Sequence, residues 1–238
     1  VNSDSPVYKY WNLEMEEKKA MKTEIKIMLP FYKIIYPILF ICFLAILRGT
    51  ADTREIGVTL DPMMAALSVV FMADTYLIEK WEQRWEIFAL YALDKKRIMV
   101  YKRIVVQFVY LFLLAALGYF LFFIQNPSMT TWVNEMKMYL EYLLVVGISL
   151  ILWGTMAIVI ANLFKNIWCG IGIPFLIWLL FNSTFGDELL GKYNIFSYVF
   201  RDYRQGIVDW IPGKVIGLIL AMLMILVFLP QTIKNRRN

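Results

Sequence analysis

The side chains with the most chemistry to offer are gathered in one stretch, Glu79 to Arg97, which reads EKWEQRWEIFALYALDKKR. Trp81, Trp85, Phe88 and Ala92 recur at helical spacing and share one face. Glu82, Arg84, Glu86 and the Lys95-Lys96-Arg97 run supply charge on and beyond the other faces. A helix of that kind wants one side against something apolar and the other against water or a protein. The chemistry it offers is recognition, since large aromatic anchors dominate interfaces and charged neighbours set their register. Catalytic chemistry is poorly supplied. The chain has no histidine, so it lacks the usual acid–base group and the commonest metal ligand. Cys42 and Cys169 fall inside apolar runs, where thiols read as packing residues. No GxxxxGK[ST] phosphate loop is present, so hydrolysis of ATP by that device requires another chain. The chain is therefore read as not an enzyme by itself, with no metal and no bound cofactor.

The elements that must position this stretch are membrane helices. Of 238 residues, 60% are hydrophobic and 18% charged, against roughly 45–50% apolar in soluble domains. Mean hydropathy is +0.60. About 20 apolar residues cross a bilayer as a helix, and the pattern predicts six such spans in one domain covering 1–238. They run from Leu29 to Leu47, Pro62 to Ile78, Ile104 to Ile124, Met138 to Phe164, Ile167 to Phe185 and Gly213 to Leu229. Residues 1–28 contain a helical pattern from Trp11 to Met28 that suits the membrane interface, with Trp at headgroup depth and Lys near anionic lipid. Lys and Arg fall mainly on the side of the termini and of the 79–103 connection; only seven of 24 lie opposite. The positive-inside bias then places both termini and Glu79–Arg97 in the cytoplasm. The +5 net charge reflects this asymmetry and not a nucleic-acid footprint.

Two further features bear on function. Between the last two spans, residues 186–212 are dense in aromatics, from Tyr193 through Phe196 and Tyr198 to Trp210. That density predicts short helices tucked into the outer leaflet, which irregular backbone tolerates only under protein cover. Polar residues within the spans form the other set. Asp74 and Glu141 are the acidic ones; Lys33 is expected to snorkel to the interface and Asp74 to reach the cytoplasmic surface. Glu141, Asn182, Phe196 and Tyr198 are the candidates for a substrate pathway.

The layout resembles the permease subunits of type-2 ABC exporters: an interfacial helix, six spans, a charged helix between spans two and three, and a long outer segment before the last. In that family a Glu near the end of span two precedes an apolar patch, a basic cluster and a Lys. Glu79, Phe88-Ala89-Leu90, Lys95-Lys96-Arg97 and Lys102 stand in those places here. The family commonly carries Gly after its Glu and Pro before its basic cluster, where this chain has Trp85-Glu86 and Leu93-Asp94. The resemblance implies a second permease chain, a copy or a paralogue, and two cytoplasmic ATPase subunits holding ATP and Mg. It implies that Glu79–Arg97 is a coupling helix docked on the ATPase, and that outer re-entrant helices cap the pathway. It also implies a prokaryotic cell membrane. Spans rich in Phe, Met, Leu and Trp suit a hydrophobic or antimicrobial peptide as cargo, with drug-like amphiphiles and lipid-linked glycans as alternatives. An ATPase-independent secondary transporter and a membrane scaffold are the readings from other classes.

Overall fold

The computed structural model describes residues 25–48, 53–77, 90–125, 131–200 and 209–234, and these contain helices and no strand. In chain order they are α1 (Phe31–Leu47), α2 (Thr53–Met72), α3 (Leu93–Gln125), α4 (Trp132–Phe164) and α5 (Ile167–Phe181). Next come α6 (Thr184–Leu190), a 3-10 turn (Gly191–Tyr193), α7 (Ser197–Phe200), and α8 (Ile211–Leu223), which continues through a π turn (Met224–Phe228) into α9 (Leu229–Lys234).

Four of these are long and apolar enough to cross a membrane: α2 from Glu55, α3, α4, and the continuous Ile211–Lys234 rod. A fifth is obtained if α5 and Thr184–Tyr193, bent by 69° relative to each other, count as one span. α1 has 17 residues, about 25 Å at 1.5 Å per residue, so it falls short of the roughly 30 Å hydrocarbon layer. Several helices outrun the spans expected from hydropathy. α2 begins at Thr53 and not Pro62, α3 at Leu93 and not Ile104, and α4 at Trp132 and not Met138. An apolar window marks only the lipid-facing part of a helix, whereas backbone hydrogen bonding carries the helix on into polar sequence. At the other margin, α5 stops at Phe181, short of the expected Phe185.

α2 and α4 form the centre. α4 is buried almost continuously from Val145 to Asn162, and α2 packs on it as well as on α3, α5 and α7. Small residues let the backbones close in, as membrane helices require. A Cβ on Gly170 of α5 would collide with Ala161 and the Ala157 carbonyl of α4, and one on Gly154 with the Met72 sulfur. Between α4 and α5 the chain turns over two residues. Lys165 adopts a left-handed conformation at φ 55°, and Asn166 accepts the Trp168 N–H at 2.9 Å to cap α5. The segment between α5 and α8 contains short helices, α6, the 3-10 turn and α7. Ser183 caps α6 through the Gly186 N–H. Asn194, fully buried, donates to the Phe181 carbonyl at 2.9 Å and accepts the Phe196 N–H at 3.0 Å, which folds the segment back onto α5.

Candidate functional site: a buried lysine–aspartate pair

Among the described residues, the most costly polar group to bury is a charge, and α2 and α8 each bring one to the same place. Lys214 Nζ lies 2.7 Å from Asp61 Oδ2 and donates to Ser149 Oγ of α4 at 2.8 Å. Both charged side chains are essentially inaccessible. The lysine ammonium also sits 5.4 Å from the centroid of the Phe196 ring. That ring is itself held: it stacks on Trp153 at 5.7 Å with planes 8° apart and meets Trp178 edge-on at 6.4 Å. Trp178 in turn donates its indole N–H to the Pro62 carbonyl at 2.9 Å, next to Asp61.

Local sequence explains how the two charges meet. Gly213 lets α8 press against the segment before it, since a Cβ there would strike the Asn194 carbonyl and the Ser197 hydroxyl. That seats Lys214 one residue later on the α2 side. Tyr198 lies against Gly57, one helical turn before Asp61, and meets Trp210 edge-on at 5.4 Å. Asp61 Oδ1 has no hydrogen-bond partner among the described residues. A Ser–Lys contact of 2.8 Å would suit a hydrolase only with a neutral amine as base. Here the nearest neighbour of that amine is a carboxylate, so the trio is built as an ion pair. Charge links α2 to α8, the Ser149 hydroxyl adds α4 by a hydrogen bond, and these partners must exchange if the helices part.

A second polar cluster ties α1 and α3 to the end of α2. Lys33 is buried, pairs with Asp74 at 2.5 Å and donates to the Phe71 carbonyl at 3.2 Å. It therefore does not snorkel as expected, because an acidic partner lies within reach inside the bundle. Thr75 bonds Gln107 of α3 at 2.6 Å, and Arg103 donates to the Thr75 carbonyl at 3.4 Å.

The residues expected to matter fall in three places. Glu79, Trp81, Glu82, Arg84, Trp85, Glu86 and Phe88 lie outside the described residues. Lys95, Lys96 and Arg97 belong to the first turns of α3. Lys95 stands 4.6 Å from the Tyr91 ring centroid, Lys96 is buried, and Arg97 is 3.7 Å from Asp94. Of the pathway candidates, Phe196 and Tyr198 flank the buried pair, whereas Asn182 ends α5 and Glu141 lies half-buried on α4. Asp61 and Lys214 were not foreseen: Asp61 stands outside an apolar window that starts at Pro62, and Lys214 reads as one more outer cation. The available signal was a lysine inside the run IPGKVIGLIL.

Fold and buried charges together define the class, an all-α membrane-embedded protein. No protein-family model, curated protein or solved structure matches the chain.

Proposed function

We propose that this chain is the membrane-spanning subunit of an ATP-driven exporter of the type-2 ABC class. Two such chains form the pathway, and two separate ATPase subunits beneath them supply ATP hydrolysis. In this reading the chain has six spans with both termini cytoplasmic in a prokaryotic cell membrane. Residues 1–28 form the interfacial helix, Glu79–Arg97 the coupling segment, and the outer helices cap the pathway.

The observation that carries the reading is α3. Its 33 residues extend about 50 Å, whereas about 30 Å suffices to cross the hydrocarbon. The surplus bears Lys95, Lys96, Arg97, Lys102 and Arg103, and it continues directly from the aromatic and charged stretch. A long helix that enters the bundle just after that stretch in the sequence supports a lever. Near its middle, Gln107 accepts the Thr75 hydroxyl just past the end of α2, the helix that carries Asp61. In this reading a push on the cytoplasmic end reaches the helix that holds Asp61, one half of the buried pair.

Cargo in this reading is a hydrophobic or antimicrobial peptide, supported by the Phe-, Met-, Leu- and Trp-rich spans. The decisive test is purification of the native assembly with intact-mass analysis, which should return a partner chain with a phosphate-loop motif. Within that assembly, Trp85→Ala or Phe88→Ala should lower peptide-stimulated ATPase activity at least about tenfold or release the partner. Unchanged coupling in both variants would remove the docking role. A second reading, an ion-coupled transporter without an ATPase, is favoured by the buried Asp61–Lys214 pair, since intramembrane charges mark ion relays in such proteins. Cargo uptake by proteoliposomes holding only this chain and an ion gradient would establish it instead.

A further inference from the structure

α4 carries α3 on one flank and α8 on another. Tyr101 of α3 reaches the Ile225 carbonyl just beyond α8, but along Leu218 the two flanking helices leave a strip of α4 open between them. The strip is a groove of about 440 Å³. Phe112 of α3 forms one wall and Leu218 of α8 the other, and the floor runs along α4 from Leu140 to Ile151. All eight lining residues belong to these three helices, and none carries a polar side-chain atom. Gly147 keeps the floor low: a Cβ there would meet the Phe112 ring at 3.4 Å, an ordinary contact, so a longer side chain could stand in the groove. Phe112 lies near the middle of the apolar run Ile104–Ile124, which sets the groove at hydrocarbon depth.

Shape selects the occupant. At 1.5 Å per residue the floor is about 16 Å long, roughly half of the 30 Å hydrocarbon layer. Volume over length gives a channel about 6 Å wide. A helix with its side chains is about 10–12 Å across and does not enter. A stable protein interface takes about 20–30 residues a side, far more than the eight here. A single file of methylenes does enter, because carbons pack about 4 Å from their neighbours. Lipid tails are as apolar as leucine, so hydrophobicity alone does not hold a chain there. Contact on three sides does, since a groove left poorly filled forfeits its dispersion energy. We propose that this groove holds one acyl chain of a bilayer phospholipid, laid along α4 as a bound lipid. Leu218 stands one helical turn beyond Lys214, and Ile148 adjoins Ser149. The chain therefore lies beside the joint where the Lys214 ammonium ties α8 to α4. The site is independent of the exporter reading, since neither the coupling segment nor an ATPase contributes to it.

The test uses the full chain in a sterol-based detergent, which has no free alkyl chain to compete. The probe is phosphatidylglycerol with a diazirine in one acyl chain, and adducts are mapped by peptide mass analysis. Photolabelling of the wild type should saturate near one adduct per chain and map to residues 140–151 and the surroundings of Phe112. Gly147→Leu, which fills the floor, and Leu218→Trp, which narrows the channel from the opposite wall, should each raise the half-saturating probe concentration at least about tenfold. Leu218 is exposed, so its replacement leaves the core intact and keeps the test valid if Gly147→Leu lowers the yield. Leu117→Ala, on an exposed face of α3, should label like wild type. The proposal is overturned if labelling does not saturate and spreads evenly over exposed residues such as Leu117 and Leu163, or if both groove variants label like wild type. Labelling of the groove by diazirine palmitate but not by the phospholipid would overturn it in favour of a free fatty acid. An interchain disulfide through Leu144→Cys, in a background without Cys42 and Cys169, would overturn it in favour of a second copy of this chain.

Discussion

Lys214 and Asp61 face each other across α8 and α2 with water excluded, and that arrangement makes each the other's main support. Removing one partner leaves the other charge uncompensated, which costs about 3–5 kcal/mol, whereas an apolar replacement of both is often near neutral. Lys214→Met and Asp61→Leu should therefore each sharply lower the unfolding midpoint of the detergent-solubilised protein, and the double variant should recover most of the loss. A double variant that merely sums the singles would show that the charges act independently. If the pair instead serves movement, the double variant should fold yet lose transport. Ser149 adds a hydrogen bond at 2.8 Å, so Ser149→Ala should cost only about 1 kcal/mol.

Among the helices, the Ile211–Lys234 rod has a defect with an identifiable cause. The Leu229 N–H donates to the Met224 carbonyl, five residues back, which is π geometry. The next donor in that register would be residue 230, and Pro230 has no N–H. Its would-be acceptor, the Ile225 carbonyl, instead takes the Tyr101 hydroxyl of α3 at 3.0 Å. Tyr101→Phe should then cost about 1–3 kcal/mol by stranding that carbonyl. In a Pro230→Ala background the restored N–H should make the same change nearly silent. Equal cost in both backgrounds would refute the substitution of hydroxyl for amide. The α4–α5 contact is a second element-scale test. Gly170→Val forces a side chain into Ala161, so it should splay α5 from α4 and cost at least about 1–3 kcal/mol, measured by the same unfolding assay.

Over the whole molecule, the connectivity sets the 53–72 and 211–234 helices running in the same direction, with Lys33, Asp74, Thr75 and Arg103 clustered at one end. Lys192 and Trp132 lie toward the other end. In a background with Cys42 and Cys169 replaced by alanine, Lys95→Cys should react with an impermeant maleimide only after cell lysis. Lys192→Cys should react in intact cells. The reverse pattern would invert the proposed orientation and with it the docking role of Glu79–Arg97.

Class and element type were legible in the sequence because the bilayer forces every backbone group in a long apolar run into a helix. The close turn at Lys165–Asn166 and the short helices after Phe181 were likewise visible as breaks in apolar runs and as aromatic density. Helix limits were not, since Leu93–Arg103 and Thr53–Asp61 are helical without being apolar. Nor was the candidate site. Asp61, Ser149 and Lys214 stand 88 and 65 residues apart along the chain, and only packing of α2, α4 and α8 makes their charges and hydroxyl neighbours. Composition thus determined where this chain lives and of what elements it is made. Which buried charges meet was decided by the tertiary structure, because a charge pair is a relation between helices and each helix alone carries only half of it.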